Sequence, residues 1–222
     1  TSLYDMAAGR PVLMPSLPQG GGPRSARSLD SYMFPEELTA PKPVLKGMPQ
    51  FKAADAEDIA WIVKVFAEGA ARAVEAGFDA IELHAGHTYL INSFISPAHN
   101  RRDDDYGGTS ERRARLMKEV IEGIRARIGR DFPLQVKLNA EEYFFEPQGI
   151  TLDDAKVHAR IAEAAGADAI TVTASHNYAV TGALLSSWMP HVPNKLLPLA
   201  AAIRAAVNRP VITVGRVDPE AA

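Results

Sequence analysis

The chain has 222 residues, a formal net charge of -3 and a pI near 6.1, with 46% hydrophobic and 23% charged residues. It is long enough to bury a sizeable core and too weakly charged for a general affinity for nucleic acid. There is no cysteine, which excludes a disulfide framework, a thiolate metal site and a cysteine nucleophile within it. No run approaches the roughly 18 apolar residues of a membrane helix, and residues 1–53 do not read as a signal peptide, so the expected location is cytoplasmic and no membrane partner is expected.

In chain order, residues 1–53 read as an irregular segment. Eight of the sixteen prolines fall between Pro11 and Pro49, with Gly20-Gly21-Gly22-Pro23 among them. Proline removes donors and glycine adds chain entropy, so loop is predicted there. From residue 54 to 222 the pattern is regular. Asp55 with Asp58 marks a helix start, and Ile59, Ile62, Val63, Phe66, Ala70 and Val74 recur at helical spacing up to Gly77. A strand follows over Asp79–His84. Met117, Val120, Ile121, Ile124 and Ile128 mark the next helix, stopped at Gly129, before a strand over Leu134–Asn139. Thr151 with Asp154 caps a third helix that ends at Gly166, and Ala169–Thr173 is the strand after it. Leu196–Val207 and Pro210–Val214 complete the series.

The segment Ala76–Ile81 also resembles Ala165–Ile170, each reading alanine, glycine, a variable residue, aspartate, alanine and isoleucine. Repeated helix–glycine–strand units imply parallel strands, with each helix as the crossover. The spacing fits a barrel or a doubly wound sheet. Four strands are readable where a closed barrel has eight, so the expectation is a chain incomplete at both ends, or one completed by a partner.

Chemistry in such folds sits at the carboxyl ends of the strands. The first end is Glu82–Tyr89. Glu82 and His84 share one face of the strand, and His87 and Tyr89 continue into the loop. Imidazoles hydrogen-bond a carbonyl or oxyanion, and a phenol donates a proton. Taken alone, His84 and His87 read first as a structural histidine, and less readily as part of a metal site, which would want a third ligand. The second end is Lys137, with Glu82 as the expected partner. It is open to three readings: an ion pair, a cation aimed at an electron-rich cofactor, or a Schiff-base lysine. Thr173–His176 ends the third strand. Gly215-Arg216 follows the fourth, where a glycine admits a phosphate and an arginine pairs with it.

Phe78–Leu116 closely resembles the signature segment of the old yellow enzyme family. The matching pieces are His84-Ala85-Gly86-His87, Tyr89-Leu90, Phe94, Ser96-Pro97, Asn100-Arg101-Arg102, Asp105-Tyr106-Gly107-Gly108, and Glu111 with Arg113 and Arg115. The resemblance is looser over Pro133–Tyr143 and Pro210–Arg216, and covers about 55–222 in all. It implies an α/β fold, the (β/α)₈ TIM barrel of the FMN-linked oxidoreductases, with about strands 4–7 in this chain. It further implies FMN as cofactor, NAD(P)H as reductant and an electrophilic alkene as substrate. By position, His84 and His87 look like the pair that binds the activating oxygen and Tyr89 like the proton donor. Lys137 looks like the cation beside the flavin, and Gly215 and Arg216 like one side of the FMN phosphate site.

The departures are equally specific. The strands expected before Asp55 are not readable, except for Met6–Arg10 as the frayed end of one. Thr88 stands where the family often has glycine. The alternatives are a flavin-dependent amine or N-methyl demethylase on the same scaffold, and an inactive fragment that needs a homo-oligomer or a completing chain. A Schiff-base aldolase on Lys137 leaves His84, His87 and Tyr89 unexplained.

Overall fold

The computed structural model describes residues 11–17, 51–143, 145, 148–176, 193–218 and 220. The expected strand over Met6–Arg10 lies outside them. Four parallel strands form one sheet in the order β3 (Ile81–Ala85), β4 (Leu134–Tyr143), β5 (Ala169–His176), β6 (Val211–Thr213). Sequence order equals spatial order, as in a barrel wall wound one helix per strand. Helices α1 (Ala56–Glu75), α4 (Arg115–Ile128), α5 (Leu152–Ala165) and α6 (Leu197–Arg204) precede the four strands in turn.

Local chemistry sets these boundaries. Asp55 accepts from the Asp58 amide while the Asp58 side chain accepts from the Asp55 amide, a reciprocal cap on α1. Thr151 and Asp154 repeat the device on α5. Gly77, Gly129 and Gly166 follow α1, α4 and α5 at positive φ.

The two faces of the sheet differ. Leu83, Ala85, Val136, Leu138, Ile170 and Val172 are 0–2% exposed and form the core with the helices. Alternate positions put Glu82, His84, Gln135, Lys137, Thr171 and Thr173 on the opposite, polar face. Helices on one face and a polar surface on the other give the wall of a partial barrel.

Three features differ from the sequence reading. Within the proline-rich segment, β1 (Val12–Met14) and β2 (Phe51–Ala53) pair in parallel as a short ribbon. The strand expected over Leu134–Asn139 runs on to Tyr143 through a register shift between Asn139 and Glu141. Two short helices, α2 (Leu90–Ile95) and α3 (Ser110–Arg113), occupy the long loop after β3.

That loop ties the ribbon to the sheet. Arg102 donates from Nη1 to the carbonyls of Pro15 (3.1 Å) and Ala54 (2.7 Å) and pairs with Asp104. Asn100 Nδ2 donates to the carbonyls of Phe94 and Tyr106. A Cβ on Gly107 would lie 2.0 Å from the Arg102 carbonyl oxygen, so this turn closes only on glycine. No described helix is long and apolar enough to cross a membrane.

Candidate active site

His84 sits near the carboxyl end of β3, directly opposite Lys137 in the neighbouring strand. The chain then leaves the strand through Gly86 and turns at two non-glycine residues in the left-handed region, His87 (φ 55°) and Thr88 (φ 61°). Such residues are uncommon, and a β-branched one is strained there. Tyr89, extended, opens α2.

This turn folds the three expected catalytic residues together. The rings of His84 and His87 lie 4.9 Å apart nearly edge to face, and those of His84 and Tyr89 lie 5.0 Å apart. His87 is buried, and its Nε2 is 3.0 Å from Thr173 Oγ1 within β5. Tyr89 is 53% exposed, so its ring is accessible from solvent. The buried Nδ1 of His84 has no hydrogen-bond partner. An unpaired buried polar atom is costly, and a ligand oxygen at that point removes the cost. Burial first, and the Lys137 charge second, hold the His84 imidazole below its ordinary titration range, with Glu82 opposing. A neutral ring can present Nδ1–H to an oxygen.

Lys137 is adjacent but only loosely paired. Its Nζ lies 3.9 Å from Glu82 Oε1, and Glu82 Oε2 accepts from Gln135 Nε2 (3.0 Å) and Thr171 Oγ1 (2.8 Å). The expected ion pair exists at the outer limit of such contacts, because the carboxylate is shared among three donors. The ammonium therefore keeps much of its field for the polar face.

Gly215 (φ 94°) and Arg216 (φ 53°) make a tight turn just beyond β6, three strands from β3 but at the same carboxyl edge. The Arg216 carbonyl accepts from the Asn194 amide, which anchors the turn to the start of the α6 region. No cluster of three or more potential metal ligands occurs among the described residues.

Sequence reasoning missed a buried polar layer beneath the loop. Asn139, fully buried, accepts the His87 amide on Oδ1 (3.2 Å) and donates from Nδ2 to Ser175 Oγ (2.7 Å) and Glu142 Oε1 (3.2 Å). Asn92 Oδ1 accepts the Thr88 amide at 2.6 Å. Glu142 Oε2 accepts from Ser96 Oγ (2.5 Å) and the Ile150 amide (3.0 Å). The one signal in the sequence was Asn139, Glu141 and Glu142 close together after the alternating stretch Leu134–Leu138.

His84 and Tyr89 also border a cavity of about 660 Å³, walled mainly by apolar groups including Leu13, Trp61, Ile62 and Phe66, with Lys52 and Asp58 as its charged residues. It lies between α1 and the edge of β3 that has no strand partner among the described residues. In a closing barrel, that is the space of a further strand.

The chain is similar to known proteins over most of its length. The profile of the NADH:flavin oxidoreductase / NADH oxidase family matches residues 20–222. An NADPH dehydrogenase of Geobacillus thermodenitrificans is 37% identical over 183 residues, 82% of this chain and 51% of the relative. An N,N-dimethylglycine/sarcosine dehydrogenase of Chromohalobacter salexigens is 38% identical over 177 residues, 77% of this chain and 25% of the relative. The chain thus spans about half the length of the first relative and a quarter of the second. The solved structure of the old yellow enzyme homologue from Zymomonas mobilis superposes with a TM-score of 0.66 at 22% identity, over 98% of this chain and 54% of that one. The profile match over residues 20–222 places the chain in the NADH:flavin oxidoreductase / NADH oxidase family, whose members bind FMN and use NAD(P)H.

Proposed function

We propose that this chain forms the acceptor-binding and proton-donating part of an FMN-dependent oxidoreductase that reduces the activated C=C bond of an α,β-unsaturated carbonyl compound. The observation that supports it best is the His84–His87–Tyr89 cluster, with an unpartnered buried His84 Nδ1 beside an exposed phenol. The residues present suit FMN. Lys137 offers a loosely paired cation on the polar face, and the Gly215–Arg216 turn offers backbone and guanidinium contacts for a phosphate. The chemistry FMN supplies when bound is hydride transfer, from NAD(P)H to the β-carbon of the acceptor.

His84 and His87 hold the acceptor's oxygen, and their hydrogen bonds strengthen as negative charge develops there. Thr173 orients the His87 ring through Nε2. The Tyr89 hydroxyl, on the exposed rim of the cluster, gives its proton to the α-carbon. The barrel closes when β3 and β6 gain neighbours, from further chain or from a companion copy.

The relation to a dimethylglycine/sarcosine dehydrogenase favours a second reading, oxidation of an N-methyl amine on the same scaffold. The two separate in one assay. An ene-reductase consumes NAD(P)H and alkene, whereas an amine dehydrogenase reduces its flavin with the amine alone. Tyr89→Phe tests the first reading: alkene reduction falls about 100-fold or more, as for loss of a general acid, while flavin reduction by NAD(P)H is retained. Equal loss of both half-reactions contradicts it.

A further inference from the structure

The site described above rests on two consecutive residues in an unfavourable backbone conformation, and each has its amide held by an asparagine. His87 N–H donates to Asn139 Oδ1, and Thr88 N–H donates to Asn92 Oδ1. The two side chains approach each other, with Asn139 Nδ2 3.4 Å from Asn92 Oδ1. Gly86 crosses so closely that a Cβ there would lie 3.0 Å from Asn139 Oδ1 and 3.4 Å from His84 Cε1. The turn is therefore seated directly on the Asn139 amide group.

Asn139 is itself fixed. Its two N–H hydrogens face Ser175 Oγ on β5 and the Glu142 carboxylate, which accepts only, while Oδ1 faces the His87 N–H, which donates only. Only one orientation of the amide satisfies all of these groups. The irregularity after Asn139 makes this possible. In a regular strand, residues three apart point to opposite faces, but the extra residue Ala140 lets Asn139 and Glu142 meet. Glu142 then reaches Ser96, at the far end of α2, and the amide of Ile150. The turn that leads into α2 is thus held by the two asparagines, and Ser96, which follows the helix, by Glu142.

We propose that Asn139 is a positioning residue for the reaction: by holding the His87 amide it keeps the His87–Thr88 turn left-handed, and so keeps both imidazoles and the Tyr89 phenol in one cluster. This rests on the roles assigned above to His84, His87 and Tyr89. Leucine at 139 offers no acceptor to the turn, and aspartate there sets a second carboxylate against Glu142.

The test is amide hydrogen exchange by mass spectrometry on the purified chain, with peptides over residues 84–92 and a peptide from α1 as the internal control. Asn139→Ala is expected to speed exchange in the loop about tenfold, the change produced by losing one hydrogen bond of ordinary net strength, with α1 unchanged. Adding Thr88→Gly to Asn139→Ala is expected to restore protection, because glycine adopts the turn without the clamp. A residue that merely supported β4 would show no such rescue. Asn92→Ala, which removes the acceptor of the Thr88 amide and leaves Asn139 bound to the His87 amide, Ser175 and Glu142, gives the same readout should Asn139→Ala fail to fold. Unchanged loop exchange in the folded variants overturns the proposal, whatever the chain's activity. Accelerated exchange with rescue, in a chain that reduces no alkene, upholds the clamp and removes the proposed function instead.

Discussion

Lowering the pH from 7.5 to 5 should destabilise this fold through one histidine outside the His84–Tyr89 cluster. His158 on α5 is fully buried, its Nε2 lies 3.0 Å from Ser110 Oγ on α3, and its Nδ1 has no partner. Burial is the main reason its imidazole titrates at about 4 instead of 6.5. Arg113 pushes the same way, and Asp154 and Glu111 oppose it. The folded ring thus stays neutral while the unfolded chain binds a proton, so acid favours unfolding. Stability is intact above about pH 6.5 and is lost between there and about pH 4. With these two values, the loss is about 2 kcal/mol at pH 5 and about 3 kcal/mol at pH 4. The assay is urea unfolding followed by far-ultraviolet circular dichroism at both pH values, for the parent chain and His158→Gln. Glutamine keeps a polar partner for Ser110 but does not titrate. The stability difference between pH 7.5 and 5 should shrink by about 2 kcal/mol in the variant. The contributions of His84 and His99, both also lowered by burial, cancel in the comparison. An identical pH dependence in the two proteins refutes the reasoning.

Two further changes test the scaffold. Arg125 donates to the carbonyls of Gly166, Gly129 and Phe132 and pairs with Asp168 at 2.5 Å, joining α4 to the turns before β4 and β5. Arg125→Met should cost about 2 kcal/mol, measured by thermal or urea unfolding, because the buried Gly166 carbonyl loses its donor, while Asp168 keeps the Leu134 amide; a loss under about 0.5 kcal/mol would contradict this. Thr88→Gly alone should raise stability by about 1 kcal/mol by relieving a β-branched residue at positive φ, and a decrease would show that the turn is not strained.

Much of this was legible in the sequence because it is written locally. The caps at Asp55 and Thr151, the stops at Gly129 and Gly166 and the apolar stripes between them lie within a few residues of what they control. The family resemblance pointed to the His84–Tyr89 loop for the same reason: it is one unbroken stretch. What escaped depended on distance or on broken periodicity. The ribbon pairs Val12 with Phe51, and three residues on each side have no readable period. Helix α2 is buried from Ile91 to Ile95, so it shows no amphipathic stripe. Strand β4 was cut short at Asn139 because the extra residue breaks the alternation there. The asparagine clamp joins residues 36 and 52 positions apart, which only the assembled sheet reveals. The two copies of the alanine–glycine–aspartate repeat look alike in sequence, yet Asp168 meets Arg125 while Asp79 is exposed.

The central claim is that the polar face of this sheet serves FMN, with Lys137 and Arg216 among its contacts. The direct measurement is a titration of FMN with the purified chain, followed by quenching of flavin fluorescence, alongside Lys137→Met and Arg216→Ala. The account predicts saturable binding by the parent chain and, for each variant, an affinity weaker by about tenfold or more, the cost of one charge-assisted contact. No binding by the parent chain, or equal binding by all three proteins, contradicts it.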